Sequence, residues 1–248
     1  MLKRKIDSFL TEWKSRLNRK PLIIKGARQV GKTTSIEQFG SSYTSFVEIN
    51  FKQNPEYIEA FKEGYEVDKI VKNISLINPN FKFINNNTLI LFDEIQEYPD
   101  AVTSLKFFSL DKRFDVVCSG SLLGINYKKI SSIPVGFKEE YTMSSLDFEE
   151  FLWANGYSKE NINDIYNHMI KLIPFSPLEY TTYSKLFKDY IHVGGMPEVV
   201  VDFTKNKNFN EVQRIQERII SDYKDDIAKH AIHSEKVKVR ACYDAIPM

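Results

Sequence analysis

The sequence predicts an α/β fold, a parallel sheet with helices on both faces, followed by a mainly helical domain. Three observations predict it. Short apolar runs alternate with helical patterns over the first 143 residues, and runs apolar throughout belong to strands covered on both faces. The stretch Ile23-Ile24-Lys25-Gly26-Ala27-Arg28-Gln29-Val30-Gly31-Lys32-Thr33-Thr34 places a glycine loop between the first such run and a helical pattern. Beyond residue 144 helical patterns continue with no convincing strand.

In chain order, residues 3–18 read as an amphipathic helix with Ile6, Phe9, Leu10, Trp13 and Leu17 on one face. Pro21 precedes a buried strand over Leu22–Lys25. The glycine loop follows, then a helix over Thr33–Phe39 and a second strand over Phe46–Phe51. Residues 55–76 read as one or two helices broken at Gly64, and Asn85-Asn86-Asn87 as a turn. Thr88–Phe92 is a strand that ends in Asp93-Glu94. Pro99 opens a helix reaching about Leu110. Phe114–Ser119 and Lys138–Met143 complete the strands. Ser144 with Asp147 fits a capping box opening a helix over Leu146–Ala154. Helices over 160–172, 178–191, 197–203 and 209–230 follow. The expected division is a core over 1–155, a helical domain over 156–232, and the start of a further C-terminal region over 233–248.

Composition bounds the function. The chain has 248 residues, 42% of them hydrophobic, enough for a real core. Lys and Arg number 34 against 33 acids, so no overall field steers it to nucleic acid or anionic lipid. No apolar run is long enough to span a membrane. Two cysteines, Cys118 and Cys242, make no disulfide framework and favour a reducing, cytoplasmic home. Short basic runs, Lys3-Arg4-Lys5 and Lys128-Lys129, read as solvated surface, with contact to a DNA client as the alternative. His230-x2-His233 with Cys242 lacks a second cysteine for a zinc site.

Gly26-x4-Gly31-Lys32-Thr33 fits the phosphate-loop pattern, and the spacing has physical reasons. Glycines permit the backbone angles at which successive N–H groups of residues 26–34 turn inward to form an anion nest. The helix that follows adds its unsatisfied N–H groups and its dipole. Lys32 can reach the β- and γ-phosphates of ATP, the Thr33 hydroxyl can ligate Mg²⁺, and Thr34 would face the α-phosphate side. Ala27, Arg28, Gln29 and Val30 form the loop between the glycines.

A phosphate loop needs an acid for the metal, and parallel strands gather their ends on one edge of the sheet. Asp93 stands at such an end and would hold Mg²⁺. Glu94, the next residue, would polarise an attacking water, which favours hydrolysis over transfer to an acceptor. Ser119, ending the next apolar strand, is the candidate γ-phosphate sensor, with Ser121 its rival and a helix cap the plain alternative.

With these residues in view, the chain resembles a large group of prokaryotic AAA-type ATPases. The likeness lies in Lys20–Thr33, Leu91-Phe92-Asp93-Glu94-Ile95-Gln96, Ser119-Gly120-Ser121-Leu122-Leu123-Gly124, Ser145–Leu152 and Gly194-Gly195-Met196-Pro197-Glu198. It implies a phosphate-loop NTPase core of the additional-strand, catalytic-glutamate class, with Lys32, Thr33, Asp93 and Glu94 in the roles above. It also implies a C-terminal nuclease-like domain of unknown function, so the chain reads as cut short before or within that region. Related sequences often carry proline where Ser145 stands. AAA-type enzymes usually complete their site with an arginine from a neighbouring copy, which would make a homo-oligomer. No arginine lies between 114 and 213, leaving Arg113, Arg214 and Arg218 as candidates.

The leading expectation is therefore a Mg²⁺-dependent ATPase, slow in isolation, that switches a partner domain or protein. The alternative is an ATP-gated DNA- or protein-binding adaptor with little turnover. A small-molecule kinase is a third reading, disfavoured by the missing arginines. Trp13, Arg19 and Pro21 are the expected adenine-side residues.

Overall fold

The computed structural model describes residues 2–121, 135–230 and 235–246. Lys128-Lys129, Leu122–Gly124 and His233 lie outside the described residues. Contacts divide the chain into two compact units, residues 1–150 and 151–248.

Among the described residues the first unit holds five strands: β1 (Leu22–Gly26), β2 (Ser45–Asn50), β3 (Thr88–Asp93), β4 (Asp115–Ser121) and β5 (Glu139–Met143). They form one sheet in the order β2-β3-β4-β1-β5, and every neighbouring pair is parallel. The strand inserted between β1 and β3 is β4, the additional strand of the expected class.

Why the strands are apolar on both sides is plain from the packing. Ile23, Ile90, Phe92, Val116 and Cys118 share one core with Val67, Ile70 and Ile74 of α3 (Val67–Ile77) and Leu105 and Phe108 of α4 (Ala101–Asp111). Their alternating neighbours Leu22, Ile24, Leu89, Leu91 and Val117 share the other. There they meet Ile6, Leu10 and Trp13 of α1 (Lys5–Ser15) and Ile36 and Phe39 of α2 (Lys32–Gly40). Side chains alternate along a strand, so two covered faces call for apolar residues at successive positions. Gly64 breaks residues 55–77 into a 3₁₀ segment, Pro55–Phe61, and α3, taking the left-handed φ of 119°.

Two local readings need correction. Helix α5 (Phe148–Ala154) is capped by Asp147, whose Oδ1 accepts from the Glu150 N–H at 2.9 Å. Ser144 does not cap it; its carbonyl accepts from Arg4 instead. The basic start of the chain is not a free surface patch. Arg4 is buried, and the Lys5 ammonium pairs with Asp147 at 2.5 Å and Glu149 at 2.8 Å.

The second unit takes up α5 from Phe151 and adds α6 (Lys159–Lys171), α7 (Pro177–Val193), α8 (Pro197–Asn206), α9 (Phe209–His230) and α10 (Lys236–Asp244). Helix α10 has no counterpart in the sequence-based expectation. Phe151, Val199, Val200, Phe203, Val212 and Ile215 are buried there, and Phe203 packs on Phe151 and Phe209. Capping boxes start α6 at Ser158 and α7 at Ser176, the latter with Glu179. None of the helices among the described residues is long and apolar enough to cross a membrane.

Candidate functional site

Because all five strands are parallel, the C-terminal ends of β1, β2, β3 and β4 meet at one edge. Gly26 ends β1 opposite Ser121, Ile24 lies opposite Ser119, and Asn50 ends β2 opposite Asp93. The loop over residues 27–31 leaves from this edge and enters α2 at Lys32.

Within the loop the two glycines do different work. Gly31 takes φ 92° as the residue before α2, a left-handed angle that glycine adopts without strain. Gly26 lacks such an angle. A Cβ there would lie 2.3 Å from the Met143 carbonyl oxygen on β5 and 3.2 Å from a Val30 methyl, so close approach is what requires glycine. The loop's other left-handed residue is Gln29, at φ 61°. Ala27 and Gln29 are exposed and Arg28 is half-buried. Val30 turns its side chain into the α1–α2 core.

Lys32 folds back over the loop. Its ammonium donates to the Gly26 carbonyl at 3.0 Å and the Ala27 carbonyl at 2.7 Å. Burial lowers its pKa below the ordinary lysine value, Glu94 and Asp93 act in the opposite direction, and Arg28 adds to the lowering. Thr34 is exposed on the first turn of α2.

Thr33 and Asp93 face each other across the mouth of the loop. The hydroxyl lies 3.4 and 3.5 Å from the two carboxylate oxygens, long for a hydroxyl–carboxylate hydrogen bond. Two oxygens bound side by side to an octahedral Mg²⁺ at 2.0–2.1 Å stand about 3.0 Å apart. Hard oxygens at nearly this spacing are the donor set such an ion takes, so the residues fit it.

Asp93 is buried among donors. The Asn50 amide donates to its Oδ2 at 3.0 Å, and the Ser119 hydroxyl bonds to it as well. Burial nonetheless raises its pKa above the ordinary carboxyl value, with the Glu94 charge adding to the rise. Ser119 is itself buried and bonded to Asp93, so the expected sensor sits behind that carboxylate rather than exposed in the loop mouth.

Glu94 has a left-handed backbone, φ 51° and ψ 44°, at the start of the 3₁₀ turn Ile95–Glu97. Such angles are uncommon outside glycine. The turn aims its carboxylate at the side chain of Gln96, whose Nε2 donates to Glu94 Oε2. The other end of the same amide, Oε1, accepts from the Ser121 N–H at 3.3 Å. The two partners fix which way the amide points, since a carboxylate needs the nitrogen and an N–H needs the oxygen.

Asn50 and Gln96 escape sequence reading, though each leaves a trace. Asn50 is the one amide in the run Phe46–Phe51, and Gln96 stands two residues after the strand-end acid Glu94. The adenine-side expectation is overturned. Trp13 is fully buried and donates to the Lys20 carbonyl at 3.0 Å. Arg19 pairs with Asp115 at 2.6 Å. Both lie with buried Pro21 near the starts of β1 and β4, the edge opposite the loop. Arg113 precedes β4 at that edge too, held by Asp111 and Asp68. In the second unit Arg214 pairs with Glu211 and Arg218 with Glu198.

Residues 18–152 match a family described as an AAA domain, and residues 184–248 match a domain of unknown function. Three solved structures resemble the chain. The Walker-type ATPase PABY2304 of Pyrococcus abyssi is 16% identical, over 97% of this chain and 76% of that one, with a TM-score of 0.49. C. elegans PCH-2 is 11% identical, over 87% and 68%, with a TM-score of 0.46. AMPPCP-bound DnaA from Aquifex aeolicus is 14% identical, over 90% and 67%, with a TM-score of 0.46. At these identities and scores the likenesses say nothing of what this chain binds or does. No curated protein matches the chain. The match over residues 18–152 spans more than half of the chain, which therefore belongs to the AAA domain family of ATPases.

Proposed function

We propose that the chain binds ATP with Mg²⁺ at the loop edge and hydrolyses it, switching a partner domain or protein in the cytoplasm. The observation that carries this reading is the meeting of Thr33, Asp93 and Glu94 beside the loop, with hydroxyl and carboxylate 3.4–3.5 Å apart. Backbone N–H groups of residues 27–33 and the start of α2 would bind the phosphates. The Lys32 ammonium, now on two loop carbonyls, would exchange them for the β- and γ-phosphate oxygens. Thr33 and Asp93 would hold Mg²⁺, which when bound neutralises charge on those oxygens. Asn50 and Ser119 keep the Asp93 carboxylate turned to the loop. Glu94 would take the proton of the attacking water on the oxygen that Gln96 leaves open. Ser119 then senses the γ-phosphate through Asp93.

Release of free phosphate tests the reading. Glu94→Gln keeps ATP and loses turnover; Lys32→Ala loses both. Turnover by the Glu94 variant equal to the parent's removes the water-activating role.

The adaptor reading draws on the arginines. Arg113, Arg214 and Arg218 are each ion-paired, the first at the edge away from the loop. Without an arginine from another copy, turnover is expected well below about 10 s⁻¹, the median for enzymes. ATP binding with negligible phosphate release, together with salt-sensitive DNA binding, would favour the adaptor.

A further inference from the structure

We propose that Arg4 is a positioning residue for the phosphate loop and ties that loop to the start of α5. The inference rests on the reading of residues 26–34 as a nucleotide loop and adds a residue outside it. Arg4 is 5% exposed although it stands three residues from the chain start. Its guanidinium is spread over three distant segments. Nη1 donates to the Val30 carbonyl inside the loop at 2.8 Å, and Nη2 donates to the Ser144 carbonyl after β5, also at 2.8 Å. Nε lies 3.1 Å from Glu150 Oε1, an ion pair without hydrogen-bond alignment. The same Oε1 accepts from the Lys5 N–H at 2.6 Å, so Glu150 is held at the head of α1 as well.

The geometry has a direct consequence for the loop. Val30 is the residue before Gly31, and its peptide unit carries the Gly31 N–H on the face away from its carbonyl. A peptide is planar, so fixing the carbonyl outward fixes that N–H inward, toward where an anion would lie. Arg4 is suited to this because its fork satisfies two carbonyls at fixed angles while keeping a charge for Glu150; lysine is a point charge and holds one direction at a time. A buried charge is tolerated only when paired and bonded, which explains Glu150, also 5% exposed, on α5. Helix α5 carries the chain from the first unit into the second. A shift of the loop on binding a nucleotide would therefore be felt at Glu150 through one side chain.

The test separates positioning from stability. Arg4→Met alone strands Glu150 and can unfold the chain. The double variant Arg4→Met with Glu150→Gln removes both charges while the Gln amide oxygen still accepts from Lys5. It is expected to keep the cooperative melt and to raise the Kd for MgATP at least about tenfold, with KM raised likewise and kcat changed far less. Arg4→Lys, which keeps the charge but not the fork, is expected to fall between. Without nucleotide, hydrogen exchange of the amides of residues 27–31 is expected to quicken about tenfold in the double variant, a change a purely scaffolding pair elsewhere would not bring. Parent-like ATP affinity in the double variant, or loop exchange unchanged, overturns the inference. Failure of the nucleotide reading looks different: the parent and Lys32→Ala would then show the same absence of ATP binding, and the exchange measurement alone decides on Arg4.

Discussion

Replacing Gly26 by alanine is the sharpest test of how the loop is built. The new Cβ would lie 2.3 Å from the Met143 carbonyl oxygen, 3.3 Å from its carbon and 3.2 Å from Val30 Cγ2. The obstacle is backbone, not a side-chain tip that could rotate. Gly26 and Met143 are the last paired residues of β1 and β5, so β5 must retreat by nearly an ångström at the point where it is tied in. Overpacking of this kind costs about 1–3 kcal/mol. For a chain of 150–250 residues each kcal/mol moves the melting temperature by about 2–4 °C, so a fall of about 2–12 °C is expected. The displaced strand leads to Ser144, whose carbonyl shares Arg4 with the loop, so ATP binding should weaken together with stability. The assay is a thermal melt with and without MgATP. Gly64→Ala is the control: its φ of 119° strains alanine, yet nothing lies within 4 Å of the added carbon. That variant should melt lower and keep the parent's ATP-induced shift. A Gly26→Ala variant that melts within about 1 °C of the parent and shows the same ATP shift would refute the steric account.

Three further expectations follow from single residues. Burial first, and the Glu94 charge, hold the Asp93 carboxyl above its ordinary value, so the folded chain binds more protons there than the unfolded one. Its contribution is fully present below the unfolded pKa of about 3.9 and is lost as pH rises through the folded value. Asp93→Asn should therefore melt higher than the parent at pH 7, the gap closing toward pH 4, while losing Mg²⁺-dependent ATP binding; a lower melt at pH 7 speaks against the burial argument. Gln96→Leu should cut phosphate release by about 10–100-fold, as loss of an orienting contact to a general base would, with ATP affinity kept, and should add nothing in the Glu94→Gln background; an equal further loss there would show that Gln96 acts by another route. Cys118 is buried with its thiol pKa raised by burial, and Cys242 is exposed. An alkylating reagent should thus label one thiol in the native chain and two in denaturant, as mass spectrometry would show.

Much of the fold is legible because strand identity is a local property. Leu89–Phe92 and Val116–Cys118 are apolar at every position, and a segment like that has few places to lie except between two helical layers. The phosphate loop is legible for the same reason: its spacing encodes a turn and a helix start within nine residues. What sequence does not display is any contact whose partners are far apart. Arg4 meets Ser144 across 140 positions, and nothing near either residue hints at it; a basic run at a chain start looks like solvated surface. Trp13 shows the converse error. An aromatic on the apolar face of residues 3–18 is already explained by a core, and its burial left no ring for adenine. Gly26 shows a subtler one, since the pattern identified the residue while the reason, a carbonyl of a strand 117 positions later, is tertiary.

The distribution of buried polar groups makes a stronger argument for the loop edge than any motif. Among the described residues nine polar or charged residues are buried, and five of them, Arg4, Asn50, Asp93, Ser119 and Glu150, belong to that edge or to its backing. Burying such groups is unfavourable unless each finds a partner. Here they do, yet the balance is uneven. The Arg4–Glu150 pair is closed on itself and on backbone carbonyls, a finished structure that needs no ligand. Asp93 is not finished: with the Asn50 amide, the Ser119 hydroxyl and a distant Thr33 hydroxyl around it, its carboxylate still pulls protons harder than an ordinary acid does. A cation between Thr33 and Asp93 would relieve that excess, and a polyanion in the loop would be balanced by the cation. The same edge thus pairs a scaffold that is complete without ligand with an acid whose buried charge a bound cation would relieve further, a division of labour that suits the proposed nucleotide switch.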